Sequence, residues 1–363
     1  MRRALVLARK ALGHVSPNPA VGAVIVKDGQ VIGEGYTQPP GGPHAEVVAL
    51  RQAGEAARGA EIYVPLEPCC HFGRTPPCTR AVIQAGIVRV HAATIDPNPV
   101  VAGKGVAELR QAGIEVVLGE REAEAREVNE AFIKHITTGL PFVIAKFAAS
   151  LDGKLATRTG DSQWVTGPLA RRRAHELRHI VDAIMVGANT VIADDPQLTY
   201  RRRGDRLHPG DRQPLRIVVD SQGRVPPSAR VFDSPGKAML VTARALAAEK
   251  ATGFARRGVE VVEIPAQAGW VDLPGLLRLL GERQVTSLLI DGGGILLGSF
   301  FDMGLVDKVE AAIAPIIIGG KDAVPAVSGV GVDKIANVFS LERVTVHRAG
   351  RDILVSGYVA KRA

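Results

Sequence analysis

The chain has 363 residues, 46% hydrophobic and 23% charged, with a net charge of +8 from 45 Lys and Arg against 37 Asp and Glu. These totals exclude a disordered or fibrous chain and, at about 100–200 residues per domain, leave room for two or three cores. The basic excess suits nucleic acid, phosphorylated small molecules or neither, while three cysteines, two of them adjacent, make no disulfide framework and fit a reducing, cytoplasmic setting.

The opening stretch, MRRALVLARKALGHV, reads as an amphipathic helix. Its apolar run is broken by Arg9 and Lys10 and is too short for a secretory segment. An organelle transit peptide is the rival, since no acid precedes Asp28, but SPNPAVGAVIV runs straight on into a strand. No run approaches the roughly 20 apolar residues of a membrane span.

From 20 to 139 the pattern alternates. Strands are predicted at AVGAVIV, VIGEGY, AEIYVPL, VRVHAATI and IEVVLG, and helices at HAEVVALRQAG, TRAVIQAG and GVAELRQAG. Helices that end in Gly before short β-branched runs indicate a layered α/β domain with a mostly parallel sheet. One further helix, EAREVNEAFIKHITT, leads to GLPF, where Gly139 and Pro141 break the pattern. A domain boundary is placed there, giving 1–139 and 140–363. The second half alternates again, with strands predicted at FVIAKFAAS, AIMVGANTV, LRIVVDS, AMLVTA, VEVVEI, SLLIDGGG and KVEAAIAPIII. A charged loop, YRRRGDRLHPGDRQP, separates two of them.

All three cysteines lie in LEPCCHFGRTPPC, downstream of GGPHAEVVAL. Glu46 follows His44 by two residues, about 200° around a helix, so both can flank one ion only if the helix meets it end-on. Cys69 and Cys78 are expected just before or at the start of helical stretches, where the dipole favours thiolate. Two thiolates and an imidazole neutralise Zn²⁺ and leave a fourth position for water, as in a catalytic site. Such water has a pKa near 7, roughly, and Glu46, which is not a ligand, would take its proton and pass it to a departing amine. Pro68 selects Cys69 over Cys70. A closed structural zinc with Cys70 or His71 as fourth ligand would have no use for Glu46, and three buried thiols without metal would not need to cluster.

HAE, LEPC and the gap CHFGRTPP before Cys78 resemble the deaminase half of the bifunctional riboflavin-biosynthesis deaminase/reductase family. The resemblance continues through SPNPAVGAVIVKDGQVIGEGY, DPNPVVAGKG, ASLDGKLAT, DSQWVTG, ADDPQLTYR and APIIIGG. It implies a cytidine-deaminase-like α/β/α domain followed by a dihydrofolate-reductase-like α/β domain. The implied reactions are zinc-dependent removal of the 2-amino group of a diamino-ribosylamino-pyrimidinone 5′-phosphate, then NADPH-dependent reduction of ribosyl to ribityl. By resemblance His44, Cys69 and Cys78 hold zinc, Glu46 shuttles protons, and Asn18 and Arg74 contact substrate. In the second half it places substrate near Ser162, Arg178, Leu198, Arg201 and Asp291. The cofactor falls along Ala148, Trp164, Thr190, Asp194, Ser221 and Gly293, Gly294, Ile295, Leu296, Leu297, Gly298 and Ser299. Lys146 and Asp194 are candidate polar groups near the reacting carbon. The chain departs from the family at Cys70, commonly Ser, and at Asp291, commonly Glu.

The residues themselves add that SLLIDGGGILLGSFF supplies a strand, a Gly-rich turn and a helix start able to receive phosphate, without the G-x-G-x-x-G of a Rossmann fold. Arg178 and Arg201 suit phosphate oxygens or surface ion pairs, and Trp164 suits a cofactor ring or the core. The basic excess then serves phosphorylated small molecules, with neither nucleic acid nor membrane required; the family implies a homo-oligomer, dimer or tetramer. A nucleic-acid base deaminase is disfavoured by 4% aromatic residues and no RNA-binding motif. A nucleotide-binding or structural zinc protein without turnover is the rival of a different class.

Overall fold

The computed structural model describes all residues except 203–205, 209, 265–268 and 361–363. The chain divides into two compact units, Met1–Leu140 and Pro141–Ala363. Among the described residues no helix is long and apolar enough to cross a membrane.

The first unit runs α1 (Arg2–Ala11), β1 (Gly22–Lys27), β2 (Gln30–Tyr36), α2 (Ala45–Ala53), β3 (Glu61–Val64), α3 (Cys78–Gln84), β4 (Arg89–Ala92), α4 (Lys104–Gln111), β5 (Glu115–Leu118), α5 (Glu122–Val128) and α6 (Glu130–Thr138). Its sheet has the order β2-β1-β3-β4-β5. The expected mostly parallel sheet is mixed instead: β1 pairs antiparallel with both β2 and β3, and only β3-β4-β5 is parallel. The β1–β2 pairing has a local reason, because Asp28 and Gly29, both at positive φ, turn the chain straight back and close a hairpin. Ile25, Ile62, Val90 and Leu109 lie in a core shared by the sheet, α2, α3 and α4. Truncating any of them to alanine costs about 2–5 kcal/mol.

Two close approaches set the site. A Cβ on Gly35 of β2 would stand 2.4 Å from the Ala45 carbonyl, so only glycine lets the first turn of α2 lie on the sheet. A Cβ on Gly105 of α4 would stand 2.2 Å from the Pro68 carbonyl, which seats α4 under the segment leading to Cys69. The single helix expected over 124–138 is two. Asn129 breaks it, because its buried amide accepts from Ala20 N–H at 2.8 Å and donates to the Ala20 carbonyl at 3.1 Å.

The second unit runs β6 (Phe142–Ser150), β7 (Lys154–Ala156), α7 (Pro168–Ile180), β8 (Ala183–Gly187), α8 (Ala188–Asp194), β9 (Leu215–Val219), α9 (Arg230–Asp233), β10 (Ala238–Thr242), α10 (Ala248–Ala255), β11 (Glu260–Glu263), α11 (Leu273–Glu282), β12 (Ser287–Asp291), α12 (Gly294–Asp302), β13 (Lys308–Ala314), β14 (Val324–Pro325), β15 (Leu341–Ala349) and β16 (Asp352–Val359). The large sheet has the order β11-β10-β9-β8-β12-β6-β13-β16-β15. It is parallel from β11 to β13, and β16 and β15 add antiparallel at one edge. The strand expected over 183–191 ends at Gly187, and Ala188–Asp194 is helical, so tertiary context overrides the β-branched Thr190 and Val191. The β15–β16 hairpin was not expected from the sequence.

Candidate functional site

His44 is the residue before α2, and Glu46 lies in the helix's first turn, so the helix end meets the cluster as the spacing requires. The ligand atoms of His44, Cys69 and Cys78 all lie within 4.8 Å of one another. His44 Nδ1 is 3.6 Å from Cys69 Sγ and 3.3 Å from Cys78 Sγ. A tetrahedral zinc with ordinary bond lengths would separate nitrogen from sulfur by about 3.6 Å, so the donor set fits that ion in size as well as chemistry. Among the described residues the cluster has three members, and neither Cys70 nor His71 belongs to it. A closed four-ligand site has no support there.

Cys78 opens α3, as expected. Cys69 does not precede a helix; it sits in the loop before α3 and receives the Cys78 backbone N–H at 3.4 Å. Of the two thiols, Cys69 carries the charge: hydrogen bonding from Cys78, then from His44, pulls it down to about 4 against the cost of burial. The His44 imidazole is raised, chiefly by its bond to Cys69. Glu46 is 4% exposed, and burial, then the Cys69 charge, push its carboxyl up. A carboxyl whose pKa is raised binds a proton more tightly and is therefore a stronger base.

Sequence reasoning missed two residues that brace this cluster. Thr75 Oγ1 lies 3.2 Å from His44 Nε2, on the side of the ring away from the sulfurs. Glu67, 3% exposed, accepts the backbone N–H groups of Asp96, Gly103 and Val106 at 3.1, 2.9 and 2.9 Å. The LEPC signature hinted at Glu67, but nothing local names its three partners. Asn18, in the loop between α1 and β1, and the exposed Arg74 enter none of the cluster's hydrogen bonds given above.

In the second unit a cavity of about 1590 Å³ opens at the carboxyl ends of β12, β8 and β9, where open parallel sheets bind ligands. Its volume exceeds the usual 300–1,000 Å³ of a small-molecule pocket, roughly, and suits a dinucleotide together with a second ligand. Asp291 ends β12 directly across from Lys146 of β6. Lys146 Nζ donates to Asp291 Oδ1 at 2.8 Å, while Arg178 of α7 places Nη2 and Nε 2.6 and 3.2 Å from Oδ2. The Asp291 side chain is 7% exposed. Burial alone would raise its carboxyl, but Lys146 and Arg178 hold it below the usual carboxylate range. The shorter acid at 291 therefore still reaches both cations.

Every substrate and cofactor candidate of the second half lines this cavity except Leu297 and Gly298, which are buried in α12. Trp164 is 64% exposed with Arg171 over its ring at 4.5 Å, so it is no core residue. Ser162 Oγ donates to Asp194 Oδ1 at 2.9 Å, and Arg201 bonds Gln197. The Gly-rich turn is forced by two left-handed residues, Gly292 and Gly293, and a Cβ on Gly293 would meet Thr190 Oγ1 at 2.7 Å. Sequence reasoning also missed His175, whose Nδ1 accepts the Arg201 backbone N–H at 3.1 Å on the cavity wall. Burial first, then Arg178 and Arg201, push this imidazole down to about 4.

Comparison with known proteins agrees with this division of labour. Residues 1–94 match the cytidine and deoxycytidylate deaminase zinc-binding region, and residues 141–355 match the RibD C-terminal domain. Riboflavin biosynthesis protein RibD of Aquifex aeolicus is 44% identical, covering 98% of this chain and 96% of that one. Its Escherichia coli counterpart is 43% identical, covering 97% and 96%. The solved structure of Acinetobacter baumannii RibD superposes with a TM-score of 0.88 at 39% identity over 99% of this chain and 98% of that one. A Thermotoga maritima diaminohydroxyphosphoribosylaminopyrimidine deaminase/5-amino-6-(5-phosphoribosylamino)uracil reductase gives 0.86 at 37% identity over 99% and 97%. With a three-donor zinc cluster in one unit, a cation-lined cavity in the other and relatives matched along nearly the whole length, the chain belongs to the RibD family of bifunctional riboflavin-biosynthesis deaminase/reductases.

Proposed function

We propose that residues 1–139 hydrolyse the 2-amino group from 2,5-diamino-6-ribosylamino-4(3H)-pyrimidinone 5′-phosphate and that residues 140–363 reduce the ribosyl side chain of the product to ribityl with NADPH. The observation that carries the first step is the three-donor cluster beside the buried Glu46 carboxyl, whose proton affinity burial raises. Zinc there supplies Lewis-acid activation of water. His44, Cys69 and Cys78 hold it; Glu46 removes the proton from the attacking water and returns it to the departing amine. Asn18 and Arg74 are assigned to the pyrimidine and the phosphate or ring edge.

NADPH supplies the hydride for the second step. Lys146 and Arg178, fixed by Asp291, present two cations at one end of the cavity, where a phosphate and a developing sugar oxyanion find donors already in place. Arg201 adds a third guanidinium, and the Ser162–Asp194 pair lies on the same wall. Gly293 to Ser299 and Thr190 are assigned to the cofactor. Leu297 and Gly298 would act there through the packing of α12, because their own atoms are buried.

A cytoplasmic setting belongs to this reading, since ligand thiols must stay reduced. So does self-association as a dimer or tetramer, which light scattering of the purified chain tests. The deciding experiment is Glu46→Gln. Zinc content and NADPH oxidation with the deaminated intermediate should match wild type, while ammonia release falls by at least about 10²–10⁴-fold. Ammonia release at the wild-type rate rejects the mechanism.

A further inference from the structure

An NADPH reductase, as proposed for the second unit, must lay the dinucleotide across its cavity in one direction. Lys146, Arg178 and Asp291 gather charge at the end of β12 and beside it on β6, so the substrate and the nicotinamide belong there. From β12 the sheet continues through β8 to β9, at about 4.8 Å per strand, so the end of β9 lies about 10 Å farther along the cavity. Ser221, Gln222 and Arg224 follow β9 and line that far end.

Two features there are unexplained by the substrate or the nicotinamide. Trp270 lines the cavity yet is 62% exposed. Its segment is fixed beside the end of β9, because the Val271 N–H donates to Ser221 Oγ at 3.0 Å and Gln222 Nε2 donates to the Gly269 carbonyl at 3.3 Å. A broad indole face held at a cavity wall is a stacking platform. Arg224 donates from Nη2 to Asn189 Oδ1 at 2.6 Å, a neutral amide that leaves the guanidinium charge uncompensated by that contact. By contrast, Arg278 on the same wall lies 3.5 Å from the Asp272 carboxylate. A guanidinium fork is the side chain best matched to a phosphate monoester.

We propose that Trp270 and Arg224 form the adenosine end of the cofactor site, with Trp270 stacked on adenine and Arg224 binding the 2′-phosphate that distinguishes NADPH from NADH.

Binding of adenosine 2′,5′-bisphosphate and of 5′-AMP to the full chain, measured by calorimetry, separates the two roles. Wild type should bind the bisphosphate about 10- to 100-fold tighter than AMP. Arg224→Gln should abolish that gap and leave AMP affinity unchanged. Trp270→Leu should weaken both fragments by a similar factor, about tenfold. Trp164→Phe leaves Trp270 as the sole tryptophan of the two, and either fragment should quench its fluorescence. A gap that persists in Arg224→Gln, or a Trp270 signal indifferent to both fragments, overturns the assignment. If neither NADPH nor NADH binds wild type, the reductase reading itself fails and takes this assignment with it; NADPH bound with its preference intact in Arg224→Gln refutes the assignment alone.

Discussion

His44 Nε2 lies 3.2 Å from the Thr75 hydroxyl, while Nδ1 faces both cysteine sulfurs. If Nδ1 offers its lone pair to zinc, Nε2 must carry the hydrogen, and Thr75 accepts it. The hydroxyl thereby fixes both the tautomer and the ring plane.

Thr75→Val keeps the side chain's shape and removes the acceptor. Zinc affinity should fall about 10- to 100-fold, read by competition with a chromophoric chelator, with the far-ultraviolet circular dichroism unchanged. Thr75→Ser should restore it. Equal affinity in the valine variant would show that the ring is held some other way.

Glu67 braces the same site from below by collecting three backbone N–H groups, two from the stretch between β4 and α4 and one from the first turn of α4. Glu67→Ala leaves those donors facing an apolar hole and should cost on the order of 3 kcal/mol in unfolding free energy, with faster zinc loss. Glu67→Gln keeps one carboxamide oxygen and should recover most of the stability, since Asp96 and Gly103 share one carboxylate oxygen and only Val106 uses the other. Urea denaturation of the zinc-loaded chain measures both.

The zinc ligands were legible because cysteine is scarce in this chain and all of it falls beside one histidine motif. Thr75 and Glu67 were not, since common polar residues acquire meaning only from partners 29 to 39 positions away. The same limit hid the β15–β16 hairpin. Glu342, Arg343, His347 and Arg348 make β15 a strand with nearly every residue exposed, so it lacks the alternation that marks a strand with one buried face. Asn129 splits a helix for a reason that lies in Ala20, at the other end of the first unit's sequence. In the second half the Gly-rich turn was visible, but the assembly of Lys146, Arg178 and Asp291 came from resemblance, because those residues are separated by 113 and 145 positions from their shared acid.

Asp291, its side chain 7% exposed, is the counter-charge for two half-buried cations. Asp291→Asn should destabilise the second unit by about 3–5 kcal/mol and remove NADPH oxidation, while ammonia release from the first reaction persists. The pH dependence has a fixed sign. The folded-state pKa lies below the unfolded value of about 3.9, so the stabilisation is complete above that value and is lost as pH falls through it toward the folded pKa. The melting-temperature gap between wild type and Asp291→Asn should therefore be widest above about pH 4 and shrink in more acidic buffer. A gap constant from pH 7 to pH 3 would mean that the charge contributes nothing.

His175 supplies the opposite kind of test, because its ring must stay neutral to accept the Arg201 N–H. Burial and the neighbouring Arg178 and Arg201 hold its folded pKa at about 4, against about 6.5 in the unfolded chain. Between those values the unfolded state binds a proton that the folded state refuses, so the stability His175 confers is present above pH 6.5, roughly, and is lost as pH falls through about 4. His175→Gln retains an acceptor for the Arg201 N–H without a titrating ring. Wild type should lose melting temperature relative to this variant as pH drops from about 6.5 to 4, and the two should run parallel above pH 7. A protonated His175 would also forfeit its acceptor and release the Arg201 loop, so substrate KM for the reductase should stay flat down to about pH 5 and rise only as pH approaches about 4 in wild type, and stay flat throughout in the glutamine variant. Parallel KM profiles would show that His175 orders the loop without sensing protons.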